Sequence, residues 1–228
     1  MNRKQNTRRL TRVLATVGLL FAGGTAMSYE QPEYTVVYTD GDVEYRQYEP
    51  YLVSETVIKA ADGYRDAGGE GFRRLFRYIT GGNTANSKIA MTVPVAQTAP
   101  SEKIAMTVPV QQSGDDDEWI VAFMLPSQYT LETAPVPSDN RVYVREVPGR
   151  LMAVRQFSGR WRDANFGRQE RELAAAVEGD GVGLIGSMER AAYNGPFTLP
   201  FMRRNEVMVA VDRVPDGIVD DIRLAAQP

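Results

Sequence analysis

Neither cysteine nor histidine occurs in the 228 residues. The two absences exclude thiol nucleophiles, Ser-His-Asp triads, His-anchored metal centres and thiolate-bound iron. A chain without cysteine also has no disulfide and no thiol redox chemistry, so its stability must come from its core. The acidic run Asp115-Asp116-Asp117-Glu118 lacks the alternating oxygen ligands and distal bidentate Glu of calcium loops, and reads as a solvated hairpin tip.

Long apolar runs are scarce too. The longest stretch of interest is Val13–Ala22, preceded by Arg3, Lys4, Arg8, Arg9 and Arg12 and followed by Gly23, Gly24, Thr25 and Ala26. A basic start, a short apolar middle and a small-residue exit form the pattern of a secretory signal, and about ten apolar residues are too few to span a bilayer. Residues 1–28 are therefore expected to be a signal peptide cut after Ala26 or Ser28. The adjacent Arg8-Arg9 leaves the twin-arginine route open beside the general one. A periplasmic or secreted protein with no stable membrane span follows.

Of the 26 Lys and Arg residues, five lie in that segment, leaving 21 against 29 Asp and Glu, a balance near −8. Such a surface repels phosphate backbones, and nucleic acid is not an expected partner. Residues 29–228 are long enough to bury one ordinary core. A single domain, expected to be a monomer, accounts for them.

Tyr34, Val36 and Tyr38 alternate as in a first strand or a partner-binding arm. From Val43 to Val57 the chain is rich in β-branched and aromatic residues around a single Pro50, which reads as two strands or one bent strand. Ninety-nine residues later Val142–Val154 repeats the pattern around Pro148: Val142 against Val43, Arg145 against Arg46, Leu151 against Leu52. Each segment is followed by a helical pattern. In the first, Phe72, Leu75, Phe76 and Ile79 fall on one helical face ended by Gly81-Gly82; the second runs from about Trp161 to Val177 and ends at Gly179.

Strands are expected after each helix, at Ile89–Val95, Ile104–Val110 and Trp119–Leu125, and again at Glu189–Tyr193 and Glu206–Val211. The fold class is α+β: a duplicated strand–helix–strand unit whose helices pack on a curved antiparallel sheet. Inside the first unit, Lys88-Ile89-Ala90-Met91-Thr92-Val93-Pro94-Val95 recurs identically as Lys103–Val110, fifteen residues on. The copies read either as neighbouring strands with equivalent core roles, joined across a Gln97–Glu102 turn, or as a pair presenting Met91 and Met106 to a ligand.

Several segments together resemble the SOUL/heme-binding protein family: Tyr45–Tyr51, Phe72–Asn83, the two octads, Phe123–Ser127 and Ala192–Val207, covering roughly residues 33–212. The resemblance implies a distorted antiparallel β-barrel of two pseudo-symmetric halves with two packed helices, similar to bacterial effector-binding domains. It also implies a non-covalent heme or other porphyrin ligand in an apolar groove. By position, Phe72, Leu75 and Phe76 on the helix and Phe197, Leu199, Phe201 and Met202 on the proline-stiffened loop would form that groove, with Arg73 and Arg77 meeting propionates. The same aromatic residues at helical spacing also suit a core, and the arginines a solvated face. The His through which some members of the family ligate iron has no counterpart here, so any axial ligand is Met, Tyr, Lys or water.

The leading expectation is an exported tetrapyrrole carrier, buffer or scavenger rather than an enzyme. The alternative is a binding module for a non-heme amphipathic small molecule. Catalysis would have to draw on carboxylates, Tyr, Ser and Lys59, Lys88 or Lys103, none in a recognisable constellation; Glu44 and Arg46 read as alternating surface residues.

Overall fold

The computed structural model describes residues 29–59, 64–98 and 118–215. Nine strands and two long helices follow in chain order: β1 (Tyr34–Asp40), β2 (Val43–Tyr48), β3 (Tyr51–Lys59), α1 (Tyr64–Ile79), β4 (Val95–Thr98), β5 (Glu118–Met124), β6 (Val142–Val147), β7 (Arg150–Phe157), α2 (Asp163–Gly179), β8 (Leu184–Ala192) and β9 (Asn205–Val211). Pro50 and Pro148-Gly149 each stop a strand because proline cannot donate to the ladder, dividing the two long β-rich segments into β2 and β3, and β6 and β7.

All neighbours pair antiparallel in one curled sheet ordered β1-β2-β7-β9-β8-β4-β5-β3-β6. Leaving β1 aside, the order is the same read from either end once β2 is matched with β6, β3 with β7, β5 with β9 and β4 with β8. The register obeys the same rule: Val43 pairs with Arg155 and Val142 with Thr56, so a shift of ninety-nine residues converts one pair into the other. The halves exchange strands across the junction, and β4 and β8 lie at the pseudo-two-fold axis, where Val95 meets Ala192 and Thr98 meets Glu189.

One face of the sheet carries both helices. Alternation sends Leu52, Ile58, Trp119, Val121, Phe123, Ala153, Val207 and Val209 to that side, where they join Leu75, Tyr78 and Ile79 of α1 and Phe166, Leu173 and Val177 of α2 in the main core. The opposite face carries two smaller clusters, one around Tyr48, Met152, Val154 and Met208 and the other around Val53, Ala122 and Val147.

Several expectations are corrected. Ile89–Val95 is not a strand: Ile89–Pro94 lies outside the ladder, with a bend at Val93, tied by Val93 N–H to the Glu30 carbonyl and by the Thr92 hydroxyl to the Met124 carbonyl. Pro94 has no N–H to give, so pairing begins at Val95. Gln97, expected at a turn, lies inside β4. The signal segment, the second octad with its strand Ile104–Val110, and Asp115–Asp117 lie outside the described residues; Glu118 opens β5 and pairs with Lys59 at 2.6 Å.

Candidate functional site

The face that α1 turns to the sheet is set as much by small residues as by large ones. Ala67, Gly71, Leu75, Tyr78 and Ile79 are buried, and a Cβ on Gly71 would stand 2.5 Å from Val121, so the helix rides close on β5 at this point. The close approach rotates the next apolar positions outward. Phe72 is half-buried, edge-on to Phe123 with ring centroids 5.2 Å apart, while Phe76 is 43% exposed.

Phe72 and Phe76 stack on each other, one helical turn apart, with centroids at 5.6 Å and planes 12° from parallel. Arg73 and Arg77 are exposed beside them. Arg73 bonds Glu70 at 2.7 Å, and this contact with a neighbouring Arg74 bond holds the Glu70 carboxyl below its ordinary pKa. Arg77 makes no ion pair among the described residues. It borders an open depression of about 610 Å³ with Arg74, Tyr78, Ser138, Asp139 and Arg141. The other two cations there are engaged: Arg74 with Glu70 and the Val57 carbonyl, and Arg141 with Asp139, whose carboxyl it holds well below the usual range.

Leu75, expected in the groove, is a correction. It has no exposed surface and belongs to the core beneath the helix, because it follows Gly71 by one turn on the buried stripe.

The loop between β8 and β9 is held in shape by Arg203, whose guanidinium donates to the Thr198 and Pro196 carbonyls at 2.8 Å each and lies 4.2 Å from the centre of the Trp161 ring. The Gly159 N–H donates to the Pro200 carbonyl at 2.8 Å. These anchors fix the loop to the segment before α2, in the second half, whereas Phe72 and Phe76 sit on the first. Phe197 is 99% and Phe201 73% exposed, and Leu199 and Met202 are also exposed. The structure thus brings Phe72, Arg73, Phe76 and Arg77 together on one helix, and Phe197, Leu199, Phe201 and Met202 together on one loop.

A buried polar cluster was not legible in the sequence. Arg46 and Glu206, 2% and 0% exposed, form an ion pair at 3.2 Å on the face away from the helices. Glu206 also accepts from Tyr193 Oη at 2.6 Å and from Arg204 at 2.8 Å. Burial works against the Arg46 charge, but Glu206 and the Tyr48 hydroxyl outweigh it and the pKa is raised; burial and then Glu206 push Tyr193 well up. The reading of Arg46 as a surface residue is corrected: alternation does place it opposite Tyr45, but on that face the Tyr34 ring, 4.5 Å from its guanidinium carbon, and Glu206 cover it. Among the described residues no group of three or more Asp or Glu is arranged to hold a metal.

Known proteins place this geometry. The C-terminal domain of EcmrR superposes with a TM-score of 0.56 at 9% identity, over 79% of this chain and 99% of that one. An uncharacterized conserved protein from Listeria innocua gives 0.52 at 14% identity, over 75% and 92%. At such identities the likeness shows the fold alone, an effector-binding-domain-like one. In sequence, Heme-binding protein 1 of Xenopus laevis is 28% identical over 167 residues, 72% of this chain and 80% of the relative. Its Mus musculus namesake is 27% identical over 139 residues, 60% and 68%. The family model described as SOUL heme-binding protein matches residues 29–210, so the chain belongs to the SOUL heme-binding protein family.

Proposed function

We propose that this chain is an exported, non-catalytic carrier or scavenger that binds heme or a related tetrapyrrole on the outer face of α1. The observation that carries the reading is the stacked pair Phe72 and Phe76, open to solvent on Phe76 and flanked by the exposed Arg73 and Arg77. Two parallel rings offer an apolar platform to a planar ligand, and guanidinium groups suit its carboxylates because they bind such groups in a planar, bidentate way. Arg77 needs no partner exchange to do so. Arg73 would have to leave Glu70, an exposed pair whose loss costs little. The exposed loop side chains Phe197, Leu199, Phe201 and Met202 offer further apolar area if the bound ring extends toward them.

The absence of His and Cys makes the ring, rather than the iron, the recognised part. Each 100 Å² of apolar surface buried contributes about 2.5 kcal/mol, and a micromolar Kd requires about 8 kcal/mol net. A contact on the order of 300 Å² with one or two arginine–carboxylate pairs reaches that range before the association cost is subtracted. Absorbance titrations with hemin and with metal-free protoporphyrin IX test this. Saturable binding of both, with affinities within about tenfold of each other, is expected where no strong axial ligand acts. Failure of both to bind would contradict the proposal.

A further inference from the structure

The loop between β8 and β9 turns its apolar side chains away from the core. Phe197, Phe201 and Met202 are the three most exposed large hydrophobic side chains among the described residues, and Leu199 stands exposed between them. An apolar patch of this kind marks an interaction surface. The loop is bonded in that shape from within: the Thr198 N–H donates to the Gly195 carbonyl, Met202 to Leu199 and Arg203 to Pro200, and at its base the Tyr193 N–H donates to the Arg204 carbonyl. The side chains are therefore presented without an ordering cost on contact.

The same bonding satisfies most of the loop's backbone. Pro196 and Pro200 have no N–H to hydrate. The carbonyls of Gly195, Leu199 and Pro200 accept from N–H groups, and those of Pro196 and Thr198 from the Arg203 guanidinium. Backbone groups without partners are costly to take out of water, so a protruding segment enters a lipid interface cheaply only when it satisfies them itself. A protein partner brings hydrogen bonds of its own and sets no such condition. The charges alongside favour one kind of lipid. The Gly159 N–H bond to Pro200 and the Arg203 guanidinium over the Trp161 ring set residues 159–162 beside the loop. Arg160 and Arg162, on either side of Trp161, are exposed and form no ion pair among the described residues. The next carboxylates along the chain, Asp163 and Glu170, are both bonded to Arg190, at 2.8 and 2.6 Å. The whole chain carries a net charge of −3, so two uncommitted cations beside an apolar tip are a local arrangement and not a result of composition.

We propose that the β8–β9 loop docks this protein on an anionic phospholipid surface. Phe197, Leu199, Phe201 and Met202 enter the boundary between headgroups and acyl chains, and Arg160 and Arg162 meet the headgroup phosphates. The contact is peripheral, not a span. A phospholipid surface is the partner that combines both features, a plane of negative charge with an apolar layer directly behind it. The inference does not rest on the tetrapyrrole reading, whose platform is Phe72 and Phe76 on the other half of the fold, and its test uses no heme.

Residues 1–28 hold five cations and an apolar run of their own, so the readout must be local to the loop. The full chain carrying Phe197→Trp is titrated with vesicles of phosphatidylcholine, with and without phosphatidylglycerol, and its emission is compared with that of the unsubstituted protein. With phosphatidylglycerol the introduced indole should shift to the blue and be quenched by lipids brominated in their acyl chains; phosphatidylcholine alone should act more weakly. In that background Arg160→Ala with Arg162→Ala should weaken partition into the anionic vesicles by about fivefold per arginine and leave that into phosphatidylcholine unchanged. Phe201→Ala should weaken both by about tenfold. If circular dichroism shows the arginine variant to be misfolded, raised salt tests the same attraction and should release the protein. No emission change with anionic vesicles, or equal partition into the two lipids, would overturn the proposal. So would an indole already shifted to the blue without lipid, which would mean that another part of the chain or a second copy covers the loop.

Discussion

Leu75 and Phe76 are adjacent, and the helix assigns them opposite tasks: one is fully buried over the sheet, the other 43% exposed. The contrast is measurable. Leu75→Ala should cost about 3 kcal/mol of stability through the cavity it leaves, whereas Phe76→Ala should stay within about 1 kcal/mol; urea unfolding of each variant distinguishes them, and equal losses would mean the helix is rotated from the orientation described. Apolar spacing alone grouped Phe72, Leu75, Phe76 and Ile79 on one face. The stripe that is buried includes Ala67 and Gly71, whose contribution is close approach rather than hydrophobic area, and hydrophobic periodicity does not register glycine. Arg46 was misread for a related reason: its polarity marks an exposed face only where that face meets water, and Glu206, its partner, lies far along the chain.

At the scale of elements, α1 is placed by its contact with β5. Gly71→Ala would put a Cβ 2.5 Å from the Val121 side chain, and backbone or side chain must shift to relieve it. A loss of about 1 to 3 kcal/mol is expected despite the better helix propensity of alanine, visible as a lowered thermal midpoint; a neutral or stabilising effect would show that the helix sits farther from the sheet. The helices and most strands were readable because their periods and proline punctuation are local. The Lys88–Val95 octad misled because its alternation is strand-like while Pro94 delays entry into the ladder until Val95, and which neighbour a segment pairs with is a long-range matter.

Across the whole molecule, the ninety-nine-residue offset seen between Val43–Val57 and Val142–Val154 is the structural repeat itself, and the crossed pairs β2 with β7 and β3 with β6 lock the halves together. The tyrosines at this junction couple the fold to pH. Burial pushes Tyr48 up to about 12, and burial with the Asp180 contact raises Tyr45 farther; Tyr78 of α1 is likewise pushed up to about 12 by burial. An unfolded tyrosine ionises near 10, so the folded state binds more protons above that pH. The stability these groups contribute is complete below about pH 10 and is lost as the pH rises toward 12. Ultraviolet absorbance should show these phenols ionising together with loss of the circular dichroism signal; their full ionisation in a folded protein would contradict the burial.

The two outward rings of α1 are the centre of the functional account, and replacing both removes the platform while leaving Leu75 and the core in place. A hemin titration of the Phe72→Ala, Phe76→Ala double variant, with its fold verified by circular dichroism, is the most direct measurement. The account predicts an affinity at least about tenfold below that of the unsubstituted protein, since 1.4 kcal/mol corresponds to tenfold and about 60 Å² of lost ring contact is worth that much. An unchanged dissociation constant would contradict it.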